Sequence, residues 1–188
     1  MKTSRKKIIN SAIHILNKDE WATVEQIAAH AGVTRRTIHR YFNDRNDLIE
    51  NCKKEMLTIC NTAMTGSYNS SEEPIIKLEN MLYAAIEVGS QYSFLKKIYM
   101  RSNYGEIQNN IEQEYDNVKW RWYKLVEEMQ SSSLINKELT IPWIYNLFGG
   151  IIDIAVNALE SGDVASNDIK KFAWISFQGS IGLTKKNS

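Results

Sequence analysis

Three arginines and a histidine lie close together in the stretch AGVTRRTIHRYF, residues 31–42: Arg35, Arg36, His39 and Arg40. A guanidinium group matches the paired acceptors of guanine, and a histidine can donate to a phosphate or gain a charge on protonation. The chemistry that these residue types could perform is recognition of an anion. Whether they do so depends on which side of a helix carries them.

Helical geometry predicts that side. At about 100° per residue, Ile38 and Phe42 share one face of a short helix from Thr34 to Tyr41, and these apolar side chains must be the buried ones. The residues left for solvent or a ligand are Arg35, Arg36, Thr37, His39, Arg40 and Tyr41. The first residues of such a helix are the ones that reach base edges in a DNA major groove.

The alternative is that the arginines only solvate an exposed helix face, as charges usually do. However, Arg35 and Arg36 lie at the helix N-terminus, where the helix dipole disfavours cations. An anionic partner removes this conflict, so the pattern favours double-stranded DNA as the partner.

The flanking residues carry the signals that position this helix. Thr23 and Gln26 have the spacing of a capping box, and Thr34 can cap the next helix. Gly32 lies where the chain must turn sharply, a position that favours positive φ. Two short helices joined by a tight glycine turn are typical of a helix-turn-helix.

The whole chain is predicted to be all-α, because helical spacing of apolar residues occurs throughout and strand patterns are nearly absent. The clearest linker is TGSYNSSEEP, residues 65–74, after a fourth helix from Arg45 towards Met64. Later helices are predicted to begin near Pro74, Ile107 and Thr140, with the last one capped by Ser166.

Charge is distributed unevenly along the 188 residues. Residues 1–54 hold 11 lysines and arginines against 6 acidic residues, whereas residues 55–188 hold 12 against 16. The N-terminal part of the chain is therefore basic and the rest is acidic, which predicts that an anionic partner binds at the N-terminal end.

Other classes of protein find little support. Cys52 and Cys60 lie eight residues apart on one predicted helix, so they form neither a disulfide nor a zinc motif, and idle thiols in a reducing cytoplasm are expected. A phosphate loop, a metal-spaced His/Cys set and a nucleophile with an identifiable base are not found, so neither an enzyme nor a cofactor is expected. We expect no signal peptide and no membrane span, because the longest apolar stretch, from Tyr145, is interrupted by Asp153 and Asn157.

The stretch TVEQIAAHAGVTRRTIHRYFNDRNDLI resembles the DNA-binding domain of the tetracycline-repressor-like (TetR) family of bacterial transcription regulators. The matching residues are Thr23, Val24, Ile27, Ala28, Ala31, Gly32, Val33, Thr34, Thr37, Tyr41, Phe42 and Leu48. His39 replaces the family's usual Tyr, Arg45 replaces its usual Lys, and Asp19 and Glu20 stand where the family often has Gly.

The resemblance implies two domains: a three-helix helix-turn-helix DNA-binding domain at residues 1–54, and a helical ligand-binding and dimerisation domain at residues 55–188. It implies a homodimeric repressor that leaves its operator when a small molecule binds; activation is the other possibility. The predicted DNA contacts are Thr23, Thr34, Arg35, Arg36, Thr37, His39, Arg40, Tyr41 and Arg45.

Two further sets of residues are predicted in the second domain. Aromatic residues are dense between 83 and 143, which suggests a cavity for an apolar or planar effector lined by Tyr83, Tyr99, Trp120, Tyr123 and Trp143, although aromatic stripes are usually core. Two apolar helices near the C-terminus predict a dimer interface at Phe148, Ile151, Ile152 and Ile175, although a monomer core would have the same pattern.

One other function stays open at this point. The same fold could serve as an adaptor, or as a DNA-binding protein that has no response to small molecules. The exposed arginines argue against lost DNA binding, but nothing in the sequence argues strongly for a retained ligand.

Overall fold

The computed structural model describes residues 2–91 and 116–183, which form helices without any strand in those ranges. The helices are α1 Lys2–Lys18, α2 Val24–Ala31, α3 Arg35–Tyr41, α4 Arg45–Tyr68, α5 Pro74–Gln91, α6 Asp116–Ser131, α7 Ile141–Ser161 and α8 Ser166–Ser180. The predicted all-α class is confirmed.

The described residues divide into two compact units: the N-terminal unit, residues 2–59, and the C-terminal unit, residues 60–90 and 116–183. The division falls within α4, between Ile59 and Cys60. Each unit has its own buried core, and each is described by itself below.

The core of the N-terminal unit is built around α1. Ile8, Ala12 and Leu16 recur every four residues on α1 and are fully buried, as expected for one face of an amphipathic helix. α2 packs against this helix. Cys52 of α4 is also buried, and burial raises the pKa of its thiol to about 12, so the thiol is neutral at physiological pH.

The turn between α2 and α3 depends on backbone geometry. Gly32 ends α2 in the left-handed region, with φ of 60° and ψ of 39°. The N–H of Gly32 donates to the carbonyl oxygen of Ala29 at 3.1 Å, and that of Val33 donates to Ala28 at 3.0 Å. Carbonyls that would lack partners at the helix end are satisfied in this way. The predicted glycine turn is confirmed.

The side-chain caps around this turn are also confirmed. The Thr23 hydroxyl accepts from the backbone N–H of Gln26, whose side chain accepts from the Thr23 backbone N–H. The Thr34 hydroxyl accepts from the backbone N–H of Thr37 at 3.2 Å. At the start of α4, the Asp44 carboxylate accepts from the Asp47 backbone N–H at 2.8 Å.

The C-terminal unit encloses a core of apolar side chains from all of its helices. Its largest fully buried side chains are Leu78, Met81 and Leu82 of α5, Trp122 of α6 and Phe177 of α8. α7 contributes Ile144, Phe148, Ile152, Ala155 and Val156 along one face, and it packs against α8.

Two details differ from the sequence predictions. α4 continues to Tyr68, so the first four residues of the predicted linker are helical; the glycine at 66 does not end the helix because its backbone stays in the ordinary helical region. Ser166 is the first residue of α8 and not its cap, since Ala165 holds that position without a side-chain hydrogen bond. The predicted start near Ile107 lies outside the described residues.

α7 is also long and apolar enough, by length and composition alone, to cross a membrane, which sequence inspection did not predict. A helix that is apolar on more than one side is characteristic of a protein core as well as of a membrane span. The burial of Ile144, Phe148 and Ile152 inside the C-terminal unit accounts for one apolar side of α7 without a membrane.

We predict that Gly32→Ala lowers the free energy of unfolding by about 1–2 kcal/mol, the cost of a side chain in the left-handed region. The added Cβ would meet only the Nζ of Lys7, at 3.6 Å, so backbone strain and not a clash is the cause. Urea denaturation followed by circular dichroism measures this change.

Gly66→Ala is the matched control, because an added Cβ at this helical glycine meets open space. It should leave the stability unchanged or raise it by up to about 1 kcal/mol. Equal losses in the two variants would contradict the assigned role of the turn.

Candidate nucleic-acid interface

α3 presents its polar side to solvent because its apolar side is buried. Ile38 and Phe42 are each 1% exposed, which confirms the predicted buried face. Arg35, Arg36, His39 and Arg40 are exposed, and Thr37 and Tyr41 are half-buried. Six of the predicted DNA contacts are thus gathered on one short helix.

The two arginines that begin α3 have different surroundings. Arg35 Nη1 lies 2.7 Å from the carboxylate of Glu25 in α2, and its Nε donates to His39 Nε2 at 3.2 Å. Arg36 makes neither an ion pair nor a hydrogen bond with any residue in the described part of the chain. Its guanidinium is therefore open to an external acceptor.

Glu25 is charged at neutral pH. A hydrogen bond from its own backbone N–H, followed by the charge of Arg35, holds the pKa of its carboxyl below the usual range, although desolvation opposes them. The residue lies in the first turn of α2, where the helix dipole also favours an anion.

The remaining exposed groups of α3 are arranged by local contacts. The Arg40 guanidinium lies over the Tyr41 ring at 5.0 Å, and its Nη2 donates to the Tyr41 hydroxyl at 3.3 Å. The hydroxyls of Thr34 and Thr37 are 3.0 Å apart. Thr23 is exposed at the N-terminal end of α2, where backbone N–H groups favour an anion.

Arg45 differs from the other predicted DNA contacts, because its side chain is used within the N-terminal unit. Its Nε donates to the carbonyl oxygen of Ala22 at 3.1 Å, and its Nη2 donates to that of Glu20 at 2.6 Å. The side chain thus ties the start of α4 to the loop between α1 and α2. Sequence inspection did not predict this structural role; a DNA contact by Arg45 stays a prediction.

The aromatic residues that were predicted to bind an effector differ in burial. Trp120 and Trp143 are 57% and 56% exposed, so they lie at the surface of the C-terminal unit. Tyr83 and Tyr123 are half-buried, and burial, then the hydrogen bond to Glu79, raises the pKa of Tyr83 above its usual value. Tyr99 lies outside the described residues.

Trp122, which was not among the predicted effector contacts, is the centre of the aromatic cluster. Its ring is in contact with those of Tyr123, Tyr145 and Phe148, with centroids 5.2 to 5.7 Å apart. Within residues 2–91 and 116–183, the buried Trp122 Nε1 and the buried Asn61 Oδ1 have no hydrogen-bond partner. A buried donor and a buried acceptor of this kind are uncommon and call for an explanation.

The predicted dimer contacts also separate. Phe148, Ile151 and Ile152 belong to the core of the C-terminal unit, whereas Ile175 is 49% exposed. The large exposed apolar side chains of α7 and α8 include four that were not predicted as dimer contacts: Trp143, Ile154, Leu159 and Phe172. Trp143, Leu147, Gly150, Ile151 and Ile154 line a shallow depression of ≈ 230 Å³ together with Asn146.

Metal chemistry has no candidate site in the described ranges. Across residues 2–91 and 116–183, no group of three or more histidine, cysteine or acidic side chains could hold a metal ion.

Comparison with known proteins places the first domain. Residues 8–52 match the family model of bacterial regulatory proteins of the tetR family. The chain is 28% identical over 86 residues to the HTH-type transcriptional repressor LfrR of Mycolicibacterium smegmatis (strain ATCC 700084 / mc(2)155). That match spans 46% of this chain and 46% of the curated relative, less than half of either length.

Solved structures share the fold along nearly the whole chain. A TetR family transcription regulator from Marinobacter aquaeolei VT8 superposes with a TM-score of 0.76 at 16% identity, covering 96% of both chains. FadR, a fatty acid degradation regulator from Bacillus halodurans, superposes with a TM-score of 0.73 at 18% identity, covering 96% of this chain and 97% of the FadR chain. LfrR from Mycobacterium smegmatis in complex with proflavine superposes with a TM-score of 0.68 at 19% identity, covering 97% of this chain and 98% of the LfrR chain.

The described helices, with α2 and α3 joined by the Gly32 turn, agree with both comparisons. Residues 8–52 are thus similar to the bacterial regulatory proteins of the tetR family, and the chain as a whole shares its fold with solved structures of such regulators.

Proposed function

We propose that this protein is a DNA-binding transcriptional regulator, and that it acts as a cytoplasmic homodimeric repressor released from its operator by a small apolar or aromatic effector. The observation that carries the proposal is the orientation of α3, which buries Ile38 and exposes Arg36 and Arg40. Exposed arginines near the start of a recognition helix suit the paired acceptors of guanine.

Two observations support the proposed homodimer: the geometry of DNA recognition and the surface of the C-terminal unit. Helix-turn-helix proteins read two half-sites with two copies of the recognition helix. Ile154 is 66% exposed, and Phe172 and Ile175 are each 49% exposed, on the neighbouring helices α7 and α8. Exposed apolar side chains on adjacent helices indicate a surface that a partner covers, and we assign it to a second copy of this chain.

The effector site is proposed at the aromatic cluster of the C-terminal unit. The Trp122 N–H, which has no partner among the described residues, would donate to an acceptor on the effector. The relative LfrR was solved in complex with proflavine, a planar aromatic molecule, so planar aromatics are the first candidates to test here.

A second candidate function is a DNA-binding regulator without any response to small molecules, or an adaptor of the same fold. It is favoured by the exposure of Trp120 and Trp143, two of the aromatic residues that were predicted to line the cavity. The effector experiment below separates it from the first proposal.

We predict that Arg36→Ala weakens binding to a duplex selected from a random DNA pool by about 1–3 kcal/mol, because one paired contact to guanine is lost. Arg36→Lys is the matched variant: it keeps the charge but loses the planar fork. It should retain the salt dependence of binding and lose the preference at one base pair. Fluorescence anisotropy on single-base variants of the duplex measures both. An unchanged base preference in Arg36→Ala would remove this residue from the base-reading set.

We predict that Ile154→Asp or Ile175→Asp dissociates the homodimer, because a charge in a dry interface costs several kcal/mol. Ile76→Asp is the control, since Ile76 is similarly exposed, at 40%, but lies on α5. Sedimentation velocity at micromolar concentration gives the oligomeric state, and circular dichroism checks that each variant is folded. A wild-type chain that sediments as a monomer would rule out the dimer.

We predict that a planar aromatic effector lowers the affinity for the selected duplex, and that the duplex lowers the affinity for the effector by the same factor. Thermodynamic linkage requires this reciprocity, and typical couplings are about 1–3 kcal/mol. Tryptophan fluorescence titrations with and without DNA measure both equilibria.

Trp122→Phe is the variant for the effector site, because it keeps an aromatic ring and removes the N–H donor. It also removes part of the ring from a fully buried position, so circular dichroism first checks that the variant is folded. It should weaken effector binding by about 0.5–1.5 kcal/mol, the usual net worth of a hydrogen bond. Effector binding that ignores the duplex would favour the second candidate function.

A further inference from the structure

The ion pair between Glu25 and Arg35 is poorly explained by stability. The two side chains are 54% and 64% exposed, and ion pairs at such exposure contribute little to folding, at most a small fraction of the total. The pair nevertheless joins the first turn of α2 to the first residue of α3, the surface that the proposed function assigns to DNA.

The ion pair contributes little to stability, but it changes the charge that the start of α3 presents to a ligand. Arg35 donates to Glu25 and to His39, so much of its hydrogen-bonding capacity is directed at acceptors within the protein. Arg36, the next residue, is open to solvent. The carboxylate of Glu25 therefore cancels one of the two cations that begin α3, and it also places a negative charge where phosphates would approach.

We propose that Glu25 is a positioning residue for Arg35, which it holds in an ion pair in the free protein and on non-specific DNA and releases only to the better-placed acceptor of an operator. This inference rests on the proposed DNA-binding function. On non-specific DNA, a phosphate at an arbitrary position has to compete with a carboxylate 2.7 Å away, so the pair persists and Arg35 contributes little affinity.

The experiment compares the full-length wild-type chain with Glu25→Gln on two duplexes, one selected from a random pool and one of scrambled sequence. Freed from the carboxylate, Arg35 should neutralise about one more phosphate on the scrambled duplex, which steepens the slope of log K against log salt by about 0.9. At about 0.1 M salt, this slope corresponds to roughly fivefold to tenfold tighter non-specific binding. On the selected duplex Arg35 is already released, so Glu25→Gln should leave the salt slope there unchanged. Affinity for the selected duplex should still rise at any one salt concentration, because breaking the ion pair no longer opposes binding.

The control for the chemical change is Glu50→Gln. Glu50 is another exposed glutamate of the N-terminal unit with an ion-pair partner, Lys53, but it lies on α4. Its replacement should leave the salt slope on the scrambled duplex unchanged. A steepening equal to that in Glu25→Gln would overturn the inference, because loss of any acidic charge would then suffice.

The path through Arg35 is tested by repeating the comparison in an Arg35→Ala background. If Glu25 acts by holding Arg35, Glu25→Gln no longer steepens the salt slope there. The same steepening in both backgrounds would overturn the inference, since Glu25 would then act through its own charge.

The inference and the proposed function fail in different ways. A wild-type chain that binds neither duplex would overturn the proposed function and this inference with it. Wild-type binding to both duplexes, with a salt slope on the scrambled duplex that Glu25→Gln leaves unchanged, would overturn only the role of Glu25.

Discussion

The burial of Ile38 and Phe42 is the constraint on which the account of the N-terminal unit depends. Because α3 is only two turns long, burying these two side chains leaves a single orientation in which the arginines face solvent. The left-handed turn at Gly32 and the Thr34 cap fix where α3 begins. The exposure of the cationic side chains of α3 therefore follows from apolar packing on the opposite side of the helix.

In the C-terminal unit, apolar packing also determines which side chains are exposed, but here some of the exposed side chains are themselves apolar. α7 buries one apolar stripe in its own unit and leaves a second one, including Trp143, Leu147 and Ile154, at the surface. Apolar side chains gain nothing from exposure to water, so a contiguous apolar stripe at the surface indicates a site that a partner covers. In the proposed homodimer, this stripe is the surface that a second copy of the chain covers.

Sequence spacing predicted the facing of α3 well, because its buried residues lie four apart and are surrounded by polar ones. Spacing did not separate buried from exposed positions where a helix is apolar on more than one side. Trp120 and Trp122 are two positions apart, as are Ile152 and Ile154, so the members of each pair differ by about 200° around the helix. Composition alone does not indicate which member of a pair is buried. The contact of Glu25 with Arg35 and that of Arg45 with the α1–α2 loop cross between elements. Such contacts depend on tertiary placement, which local spacing does not encode.

The central claim, that α3 is the surface which meets DNA, is tested most directly by hydroxyl-radical footprinting of side chains with mass spectrometry, on the full chain with and without a selected duplex. The account predicts that His39 and Tyr41 lose reactivity in the complex while the exposed Trp120 of the C-terminal unit keeps its own. Unchanged reactivity of His39 and Tyr41 in a chain that binds the duplex would contradict it.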